Sequence, residues 1–466
     1  MDSDLEPMRF VRRHLLIVGA GYVGLTAAGC FSALGHRVSL VEKDSAKIEM
    51  LLNGEIPIYE PGLEELLLAG LQSGSIAVYD TIEPGCYDVD AALLCVGTPP
   101  SANGDPNLSI ISESAAQVAA TATRDIAVVV KSTVPPGTCE ALELICHEYA
   151  APGIDISVCS NPEFLREGRS VYDFMNPDRV VVGGIGWALE LVASLYPDSM
   201  PLIKMDRRGA ELVKYASNSF LAVKVSFANE IAALCESLGC DVGPVLEGVG
   251  LDSRIGGSFL RPSLGWGGSC LPKDTHGMLA ISESLGCESR VVGAAIEANT
   301  TARTRIVERL DRALGGLVSK RIALLGLAFK AGTDDARDSP ALALAQELAA
   351  KGAFVVGYDP MARVDLRQRR CLVERAPDAL RAVAGADAIV LAVDWPEFES
   401  LDPGKVASLA RGNTFLDATG AMSLANWREA GFVAMGIGTG HQDRFRPIIW
   451  RPLSWTMSGA GVIEAV

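Results

Sequence analysis

The feature that most constrains the fold is a glycine-rich turn between a short apolar strand and an apolar helix near the start of the chain. The turn reads Gly19-Ala20-Gly21-Tyr22-Val23-Gly24 and follows Leu15-Leu16-Ile17-Val18. A second apolar segment, Val38-Ser39-Leu40-Val41, then leads to Glu42. Strand, glycine turn, helix and strand in this order predict a βαβ unit of the dinucleotide-binding type.

Each glycine of this turn has a physical reason to lie beside a dinucleotide. Gly19 permits the tight turn, Gly21 lets the backbone approach a pyrophosphate, and Gly24 allows close packing of the helix. The N–H groups of the first helical turn, which contains Tyr22 and Val23, then point at the phosphates. The competing interpretation is a glycine turn without a ligand.

The acidic residue at the end of the second strand favours NAD over NADP. We expect Glu42 to accept hydrogen bonds from ribose hydroxyls, and its charge repels the additional phosphate of NADP. Lys43 and Lys47 lie nearby in the sequence and reduce this preference. We assign Lys47 to the cofactor site as well.

Further apolar runs predict a parallel sheet around this unit. They lie at 90–96, 126–131 and 156–159, and each leaves through a turn rich in Gly, Pro, Ser or Asn. Residues 211–238 contain neither Pro nor Gly and repeat apolar residues at helical spacing, which predicts one long helix. A second series of strands begins at Arg321.

The predicted fold class is α/β, with two Rossmann-like doubly wound parallel-sheet domains joined by a central helical region. We place the NAD-binding domain at 1–203, the helical and dimerisation region at 204–303, and the second α/β domain at 304–440. The tail at 441–466 has no clear structural pattern.

Composition excludes several classes of protein. The 466 residues include 57 acidic and 41 basic ones, and the formal charge of -16 disfavours binding to nucleic acid or to an anionic membrane. No uncharged apolar stretch is long enough to span a bilayer, and the first residues lack the positive charge of a signal peptide. We therefore expect a soluble cytoplasmic protein. The eleven cysteines form no Cys-x-x-Cys pair, so neither a metal site nor a disulfide framework is expected.

Motifs along most of the chain resemble a known enzyme family, the nucleotide-sugar 6-dehydrogenases. The resemblance extends over about 13–435 and rests on these segments: Ile58-Tyr59-Glu60-Pro61-Gly62-Leu63, Val96-Gly97-Thr98-Pro99, Lys131-Ser132-Thr133-Val134-Pro135-Pro136-Gly137-Thr138, Asn161-Pro162-Glu163-Phe164-Leu165-Arg166-Glu167-Gly168, Lys214-Tyr215-Ala216-Ser217-Asn218, Asp252-Ser253-Arg254-Ile255-Gly256, Gly265-Trp266-Gly267-Gly268-Ser269-Cys270-Leu271-Pro272-Lys273-Asp274 and Gly326-Leu327-Ala328-Phe329-Lys330. Within the family, the Asp-x-Arg-Ile-Gly and Gly-Gly-Ser-Cys segments are most similar to members that act on UDP-glucose. Members that act on UDP-N-acetylmannosamine usually have His where Ser269 stands.

The resemblance implies a two-step oxidation of a primary alcohol to a carboxylate, and the chemistry of Cys270 agrees with it. Two successive hydride transfers require a group that holds the intermediate aldehyde, and a thiol does so. Cys270 follows a glycine loop and precedes Pro272, a favoured first helical position. We therefore expect the helix N-terminus and Lys273 to lower its pKa toward the thiolate. Any single cysteine is otherwise most often an inert core residue.

Four further residues complete the expected catalytic set. Lys214 and Asn218 are four apart on the long helix and share one face, where both could reach one substrate carbon. By resemblance, Lys214 assists the first oxidation and Asp274 anchors a catalytic water, with either serving as the base. Glu163, by resemblance, activates water to hydrolyse a thioester at Cys270.

The second α/β domain lacks the dinucleotide motif, because Leu327, Ala328, Phe329 and Lys330 follow Gly326. The resemblance assigns Phe329 and Lys330 to the UDP-sugar, while Arg254 is a substrate contact from a neighbouring subunit. Arg337 is assigned to NAD, although an ion pair with a nearby aspartate is an equally good interpretation. The other residues implied for the cofactor are Gly97, Thr98, Pro99, Ser132, Thr133, Glu167 and Lys273, and those implied for the substrate include Phe164, Leu165, Phe259, Leu260, Gly265 and Gly267.

Three segments depart from the family pattern: Trp266, Val393-Asp394-Trp395 and Asp417-Ala418-Thr419-Gly420. They leave the catalytic set intact but bear on recognition of the nucleotide end. The resulting hypothesis is a homo-oligomeric enzyme that oxidises UDP-glucose to UDP-glucuronate with two NAD. The alternatives are the same reaction on another nucleotide sugar, a one-step NAD-dependent alcohol dehydrogenase, and a silent nucleotide-binding protein.

Overall fold

The computed structural model describes residues 11–82, 88–99, 106–362, 373–440, 456–457 and 463–464. Most of the predicted tail therefore lies outside the described residues, as do Cys86 and Cys371. Two short strands of that tail, Thr456–Met457 and Ile463–Glu464, pair antiparallel with each other.

The first domain is built on an eight-stranded sheet. Its strands are β1 His14–Val18, β2 Arg37–Val41, β3 Ile76–Tyr79, β4 Ala91–Leu94, β5 Ile126–Val130, β6 Ile156–Ser160, β7 Val180–Gly183 and β8 Leu202–Met205. Its helices are α1 Tyr22–Ala33, α2 Ser45–Leu52, α3 Leu63–Ser73, α4 Ser109–Thr121, α5 Thr138–Tyr149, α6 Ser170–Met175 and α7 Gly186–Ala193.

The order of the strands places a ligand crevice at a defined point of this sheet. The order is β3-β2-β1-β4-β5-β6-β7-β8, so the direction of winding reverses between β1 and β4. β1 and β4 are paired neighbours, but the connections that follow them lead to opposite sides of the sheet order and leave a crevice outside the carboxyl ends of the strands. β6 pairs with β7 antiparallel, so β7 and β8 run opposite to the first six strands.

The central region consists of α8 Arg207–Leu238, α9 Val242–Gly250, α10 Leu271–Ser284 and α11 Arg290–Leu314. The long helix begins at Arg207, earlier than the predicted Glu211, because the Asp206 carboxylate caps it and accepts a hydrogen bond from Gly209 N at 2.8 Å. It ends at Gly239, whose φ of 74° is the left-handed conformation that stops helices. α8 packs against α10 and α11 and also contacts β6 and β7, so it joins the central region to the first sheet.

The second domain contains a six-stranded parallel sheet of order β11-β10-β9-β12-β13-β14. Its strands are β9 Arg321–Leu325, β10 Phe354–Tyr358, β11 Val373–Arg375, β12 Ala388–Leu391, β13 Thr414–Asp417 and β14 Val433–Gly436. Its helices are α12 Pro340–Ala350, α13 Ala379–Val383, α14 Pro396–Glu399, α15 Pro403–Leu409 and α16 Leu424–Glu429. Three of these strands, β9, β12 and β13, have no exposed residue, as expected for a sheet covered on both faces.

The predicted architecture of two α/β domains joined by helices is confirmed. β3, β7, β8, β11 and β14 were not predicted from the sequence. No helix in the described ranges combines the length and apolar character needed to cross a membrane.

Candidate active site between the two sheets

A cleft of about 830 Å³ opens at the carboxyl ends of β1, β2 and β4. Five residues of the predicted cofactor set line it: Gly19, Gly21, Glu42, Lys47 and Gly97. α1 begins at Tyr22 directly beside this cleft, so its unbonded N–H groups and positive helix end face it. The cleft therefore has the size, position and donors that a dinucleotide requires.

Gly24 shows why the turn requires glycine. A Cβ atom at this position would lie 1.8 Å from the carbonyl oxygen of Gly19. Any side chain there would push α1 away from β1. At Gly21, in contrast, a Cβ would meet no protein atom within 4 Å, so its small size leaves space on the cleft side of the turn.

The carboxylate of Glu42 lies in this cleft and is bonded to the backbone of the turn. Oε2 accepts a hydrogen bond from Ala20 N at 2.9 Å, and Oε1 accepts from Lys43 N at 2.9 Å. Lys47 Nζ lies 3.7 Å from Oε2. Glu42 thus fixes the turn, and its side chain retains acceptor capacity toward a ribose.

The loops after β4 and β5 meet at the other side of the cleft. Thr98 Oγ1 donates to Thr133 O at 3.0 Å, and Ser132 Oγ donates to Val96 O at 2.6 Å. These bonds hold the predicted residues Thr98, Pro99, Ser132 and Thr133 in one place at the carboxyl edge of the sheet.

Cys270 lies at the N-terminus of α10, where it occupies the N-cap position and Pro272 follows in the first turn. The paired glycines before it permit a close approach: a Cβ on Gly268 would lie 2.8 Å from the Phe329 ring, and the φ of Gly268 is 82°. The Cys270 thiol lies 3.5 Å from Ser269 Oγ.

The prediction that the pKa of Cys270 is lowered toward the thiolate is wrong. Cys270 is exposed, yet protein atoms crowd around it, and this desolvation together with the Glu163 carboxylate raises its pKa. The positive charge of Lys214 opposes the shift without reversing it. Lys273 Nζ does not serve the thiol, because it donates to Asp274 Oδ1 at 2.5 Å.

Lys214 and Glu163 form a buried ion pair. Lys214 Nζ lies 3.0 Å from Glu163 Oε1, and the two side chains are 5% and 9% exposed. Burial alone would lower the pKa of Lys214, but Glu163, Cys270 and Asp274 raise it overall. Burial alone would raise the pKa of Glu163, but Lys214 and the N–H of Leu165 lower it overall.

Asn218 lies one turn after Lys214 on α8 and reaches α10. Its Nδ2 donates to Asp274 Oδ2 at 2.5 Å, and Asp274 is 1% exposed. The predicted shared face of Lys214 and Asn218 is thus directed at one site. The structure brings all five predicted catalytic residues together from three separate segments of the chain.

A second group of predicted cofactor residues lies at the junction of the two domains, apart from the cleft. Lys330 Nζ donates to Glu167 O at 2.7 Å, and Ser269 Oγ donates to Glu167 Oε1 at 3.3 Å. Burial raises the pKa of Glu167 and lowers that of Lys330. Arg337 Nη2 lies 4.0 Å from Glu167 Oε1 but only 2.7 Å from Asp335 Oδ2. The structure therefore contains the ion pair with a nearby aspartate that was the alternative interpretation of Arg337.

A cavity of about 290 Å³ separates the central region from the second sheet. It is lined by the predicted residues Phe259, Gly265, Gly267, Phe329 and Lys330, and also by Arg261 and Asp394, which were not predicted. Leu260 is buried next to this segment. Arg254 lies elsewhere: its side chain is 86% exposed and paired with Asp252.

Two polar groups near the site had no predicted role. Glu60 is buried, and its carboxylate accepts from Gly168 N at 2.8 Å, from Ser170 N at 2.7 Å and from the Tyr22 hydroxyl. It therefore ties α1 to the loop that carries Glu163. Lys131 is also buried, and the signal for it was a charged residue placed directly after the five apolar residues of β5.

The sequence matches all three domain profiles of one family. The NAD binding domain of the UDP-glucose/GDP-mannose dehydrogenase family matches residues 13–197, its central domain 208–301, and its UDP binding domain 323–423.

Characterised relatives cover nearly the whole chain. A UDP-glucose 6-dehydrogenase of Rhizobium meliloti is 40% identical over 86% of this chain and 94% of its own length. The solved UDP-glucose dehydrogenase of Pyrobaculum islandicum is 38% identical, covers 93% of this chain and 99% of its own, and has a TM-score of 0.85. A UDP-D-ManNAc dehydrogenase of Pyrococcus horikoshii is 29% identical, covers 91% and 99%, and has a TM-score of 0.82.

Proposed function

The chain belongs to the UDP-glucose/GDP-mannose dehydrogenase family and is an NAD-dependent nucleotide-sugar dehydrogenase, and from this premise we propose that it oxidises UDP-glucose twice, to UDP-glucuronate. The observation that carries the proposal is the assembly of Cys270 with the buried pair of Lys214 and Glu163. An exposed thiol beside an ammonium and a carboxylate suits the capture of an aldehyde and the hydrolysis of a thioester.

The cofactor fits the first domain. Gly19, Gly21 and the first turn of α1 suit the pyrophosphate, and Glu42 suits the ribose of NAD. When bound, NAD supplies the acceptor for the hydride in each of the two oxidations. Thr98 follows Gly97, which lines this cleft, and it bonds to Thr133 in the loop after β5.

In the first oxidation, Lys214 and Asp274 handle the proton of the sugar hydroxyl. Lys214 keeps its charge because three acidic neighbours raise its pKa, so its ammonium stabilises the developing oxyanion. Asn218 holds Asp274 in place through its amide. The hydroxyl proton leaves through a water held by Asp274.

The second oxidation proceeds on Cys270. Its Sγ forms a bond to the aldehyde carbon, and the thiol proton passes to the aldehyde oxygen. Oxidation of this thiohemiacetal gives a thioester, and its hydroxyl proton leaves through the water at Asp274. Water then attacks the thioester carbon while Glu163 takes a proton from that water. The C–S bond breaks, Cys270 recovers a proton, and the product leaves as a carboxylate.

UDP-glucose is favoured over other nucleotide sugars by two observations. The R. meliloti and P. islandicum relatives named for UDP-glucose are 40% and 38% identical to this chain, against 29% for the relative named for UDP-D-ManNAc. Ser269 also stands beside Cys270, where members for N-acetylated sugars usually have His. The Phe329, Lys330 and Arg261 cavity is the site proposed for the nucleotide end.

We also propose that the enzyme is a homo-oligomer in the cytoplasm. Phe220, Phe227 and Leu234 are 63%, 44% and 57% exposed on α8, and their spacing of seven places them on one face. An apolar helix face of this length suits burial against a second copy. All nine cysteines in the described ranges are free, as in a reducing compartment.

The test is the amount of NADH formed per mole of limiting UDP-glucose at completion. We expect a ratio of about two for the parent enzyme. Cys270→Ser should lower the rate by about 10³-fold or more, because the aldehyde loses its covalent anchor. Cys240→Ser is the matched control, since Cys240 is also exposed but lies at the far end of α8. A ratio of about one would contradict the thioester mechanism, and activity on another nucleotide sugar alone would contradict the substrate.

A further inference from the structure

Lys131 is a buried cation beside the proposed active site that the mechanism above does not use. It is 3% exposed, and its Nζ donates to Asn161 Oδ1 at 3.1 Å and to Tyr196 OH at 3.3 Å. Within the described ranges, no carboxylate oxygen lies within 4.0 Å of its Nζ. An ammonium removed from water costs free energy unless it is compensated, so its position here calls for a reason.

Asn161 and Tyr196 hold Lys131 rigidly. Tyr196 OH donates to Asn161 Oδ1 at 2.6 Å, and Asn161 Nδ2 donates to Val181 O at 2.8 Å. Asn161 Oδ1 therefore accepts from both the ammonium and the phenol. The three side chains form one connected network whose members come from the ends of β5 and β6 and from the segment after α7.

This network shares a cavity with Glu163. The cavity has a volume of about 150 Å³, and Lys131, Asn161, Tyr196 and Glu163 all line it. Lys214 and Cys270 do not line it, and Glu163 is the residue that both lines the cavity and pairs with Lys214. One buried water requires roughly 10–15 Å³ of such volume and two to four polar partners, so the cavity accommodates several waters.

The charges that face Glu163 come from four elements. Lys214 lies on α8, Cys270 and Asp274 lie on α10, Cys95 follows β4 and Lys131 follows β5. The ammonium of Lys214 interacts electrostatically with Glu163, Cys270 and Asp274. Lys131 has no such anionic contact, and its charge opposes the effect of burial on the pKa of Glu163. Arg166, Asp173, Asp178 and Arg179 also line the cavity; Arg166 pairs with Asp173, and Arg179 lies over the Phe164 ring. Lys131 is therefore the buried cation of this lining, and its field remains available to Glu163 while Lys214 serves the substrate.

We propose that Lys131 is a positioning residue for the hydrolytic step: held by Asn161 and Tyr196, its ammonium faces Glu163 across their shared cavity and keeps it the carboxylate that accepts the proton of the hydrolytic water. The inference rests on the proposed function, because it deepens the thioester hydrolysis. In that step the water oxygen bonds to the thioester carbon, Glu163 takes the water proton, and the C–S bond breaks to return Cys270. Both oxidations precede this step, so a defect in it leaves the enzyme acylated.

The experiment measures hydrolysis directly in the full-length protein. Lys131→Met is mixed with excess NAD and UDP-glucose, the first NADH is counted per active site, and the Cys270 adduct is followed by intact-protein mass. We expect a rapid phase of about two NADH per site, an adduct that persists, and release about tenfold slower than in the parent at pH values on the acid side of the Glu163 pKa. Lys131→Arg should restore most of the rate.

The pH dependence distinguishes a charge effect from a packing effect. Loss of the cation raises the pKa of Glu163, so the acid limb of the hydrolysis rate should move to higher pH by about one unit, with recovery at high pH. Asn161→Asp, which keeps the side-chain size and neutralises Lys131, should move the limb in the same direction. Lys204→Met, which breaks an exposed pair with Glu190, should leave the profile unchanged.

Two results would overturn the proposal. One is an unchanged acid limb and adduct lifetime in both Lys131→Met and Asn161→Asp. The other is an equal loss of rate at every pH that Lys131→Arg does not reverse, since a purely structural role would give that pattern. The parent enzyme tests the proposed function separately, because two NADH per UDP-glucose there establish the thioester route whatever Lys131 does.

Discussion

The first strand of each sheet ends in the same turn, although one sheet belongs to the NAD binding domain of the family and the other to its UDP binding domain. In the first domain Gly19 N donates to Val41 O at 2.8 Å, and in the second Gly326 N donates to Tyr358 O at 2.8 Å. The φ angles of the two glycines are 101° and 99°. A glycine with positive φ at the end of the first strand is thus a requirement of the sheet topology, and it does not by itself indicate a dinucleotide.

The acidic residue after the second strand is where the domains diverge. Glu42 lines the open cleft of the first domain. Asp359 takes the equivalent place after β10, but it is 1% exposed. Its two oxygens accept hydrogen bonds from Trp395 Nε1 and from four backbone N–H groups, those of Leu327, Ala328, Met361 and Ala362. The Glu42 carboxylate accepts from three backbone N–H groups but still faces the cleft, whereas the Asp359 carboxylate is enclosed by its five donors.

The segment after the turn differs as well. In the first domain α1 starts at Tyr22, directly after the glycines, so helix N–H groups face the cleft. In the second domain α12 starts only at Pro340, and residues 327–339 form a loop that reaches the catalytic region. Lys330 in that loop donates to Glu167 O. The same turn therefore presents a helix end in one domain and a lysine-bearing loop in the other.

The largest expected effect comes from removing the two carboxylates. Asp359→Ala should lower the free energy of unfolding by about 3–5 kcal/mol, because five buried donors lose their acceptor. Glu42→Ala should lower it by about 1 kcal/mol, because water can replace the carboxylate at the open cleft. Calorimetric unfolding of both variants measures the difference. Equal losses would contradict the assignment of Asp359 as structural and Glu42 as ligand-facing.

A smaller effect, on binding alone, is expected at Lys330. Lys330→Met should raise the KM for UDP-glucose by about 10–100-fold, because a cation at the nucleotide cavity is lost. The KM for NAD should change by less than about twofold, since the dinucleotide cleft belongs to the other sheet. Steady-state kinetics with each substrate varied in turn measure both values. Lys351→Met, an exposed lysine of the same domain, is the control. A parallel change in both KM values would show that the two sites are not separate.

Much of this fold could be predicted from the sequence, because strands that are buried on both faces consist of continuous apolar runs. The strands at 14–18, 37–41 and 126–130 were predicted within a residue of their bounds. β8 was missed because Leu202–Met205 contains a lysine and none of its residues is buried, as is typical of an edge strand. The reversal of β7 was missed because it depends on a single pairing, Ser160 with Gly183, that no local pattern encodes.

The position of a site residue could be predicted where it follows from the residue's neighbours in the sequence. It could not be predicted where it depends on a partner that is distant in the sequence. Lys214 and Asn218 share a helix face by spacing alone, and the structure confirms that both reach one site. The pKa of Cys270 was predicted in the wrong direction because the helix end is local, whereas the causes that raise the pKa depend on the tertiary structure. The larger cause is burial of the thiol, and the next is Glu163, which comes from a segment more than a hundred residues away. The role of Lys131 depends on Asn161 and Tyr196, and no spacing rule connects them.

The smallest effect, and the sharpest test of the comparison, concerns the choice of cofactor. Glu42→Gln keeps the size of the side chain but removes the charge that repels a 2′-phosphate, and it frees Lys47, now 3.7 Å from the carboxylate. We expect the ratio of kcat/KM for NAD to that for NADP to fall by about tenfold, chiefly through the KM values. Asp359→Asn is the matched change in the second domain, and it should leave this ratio within about twofold even though it lowers stability. Two outcomes would contradict this comparison: a shift of the ratio by Asp359→Asn, or an unchanged ratio in Glu42→Gln. Either would mean that the choice of cofactor does not depend on the acidic residue after the second strand of the first domain alone.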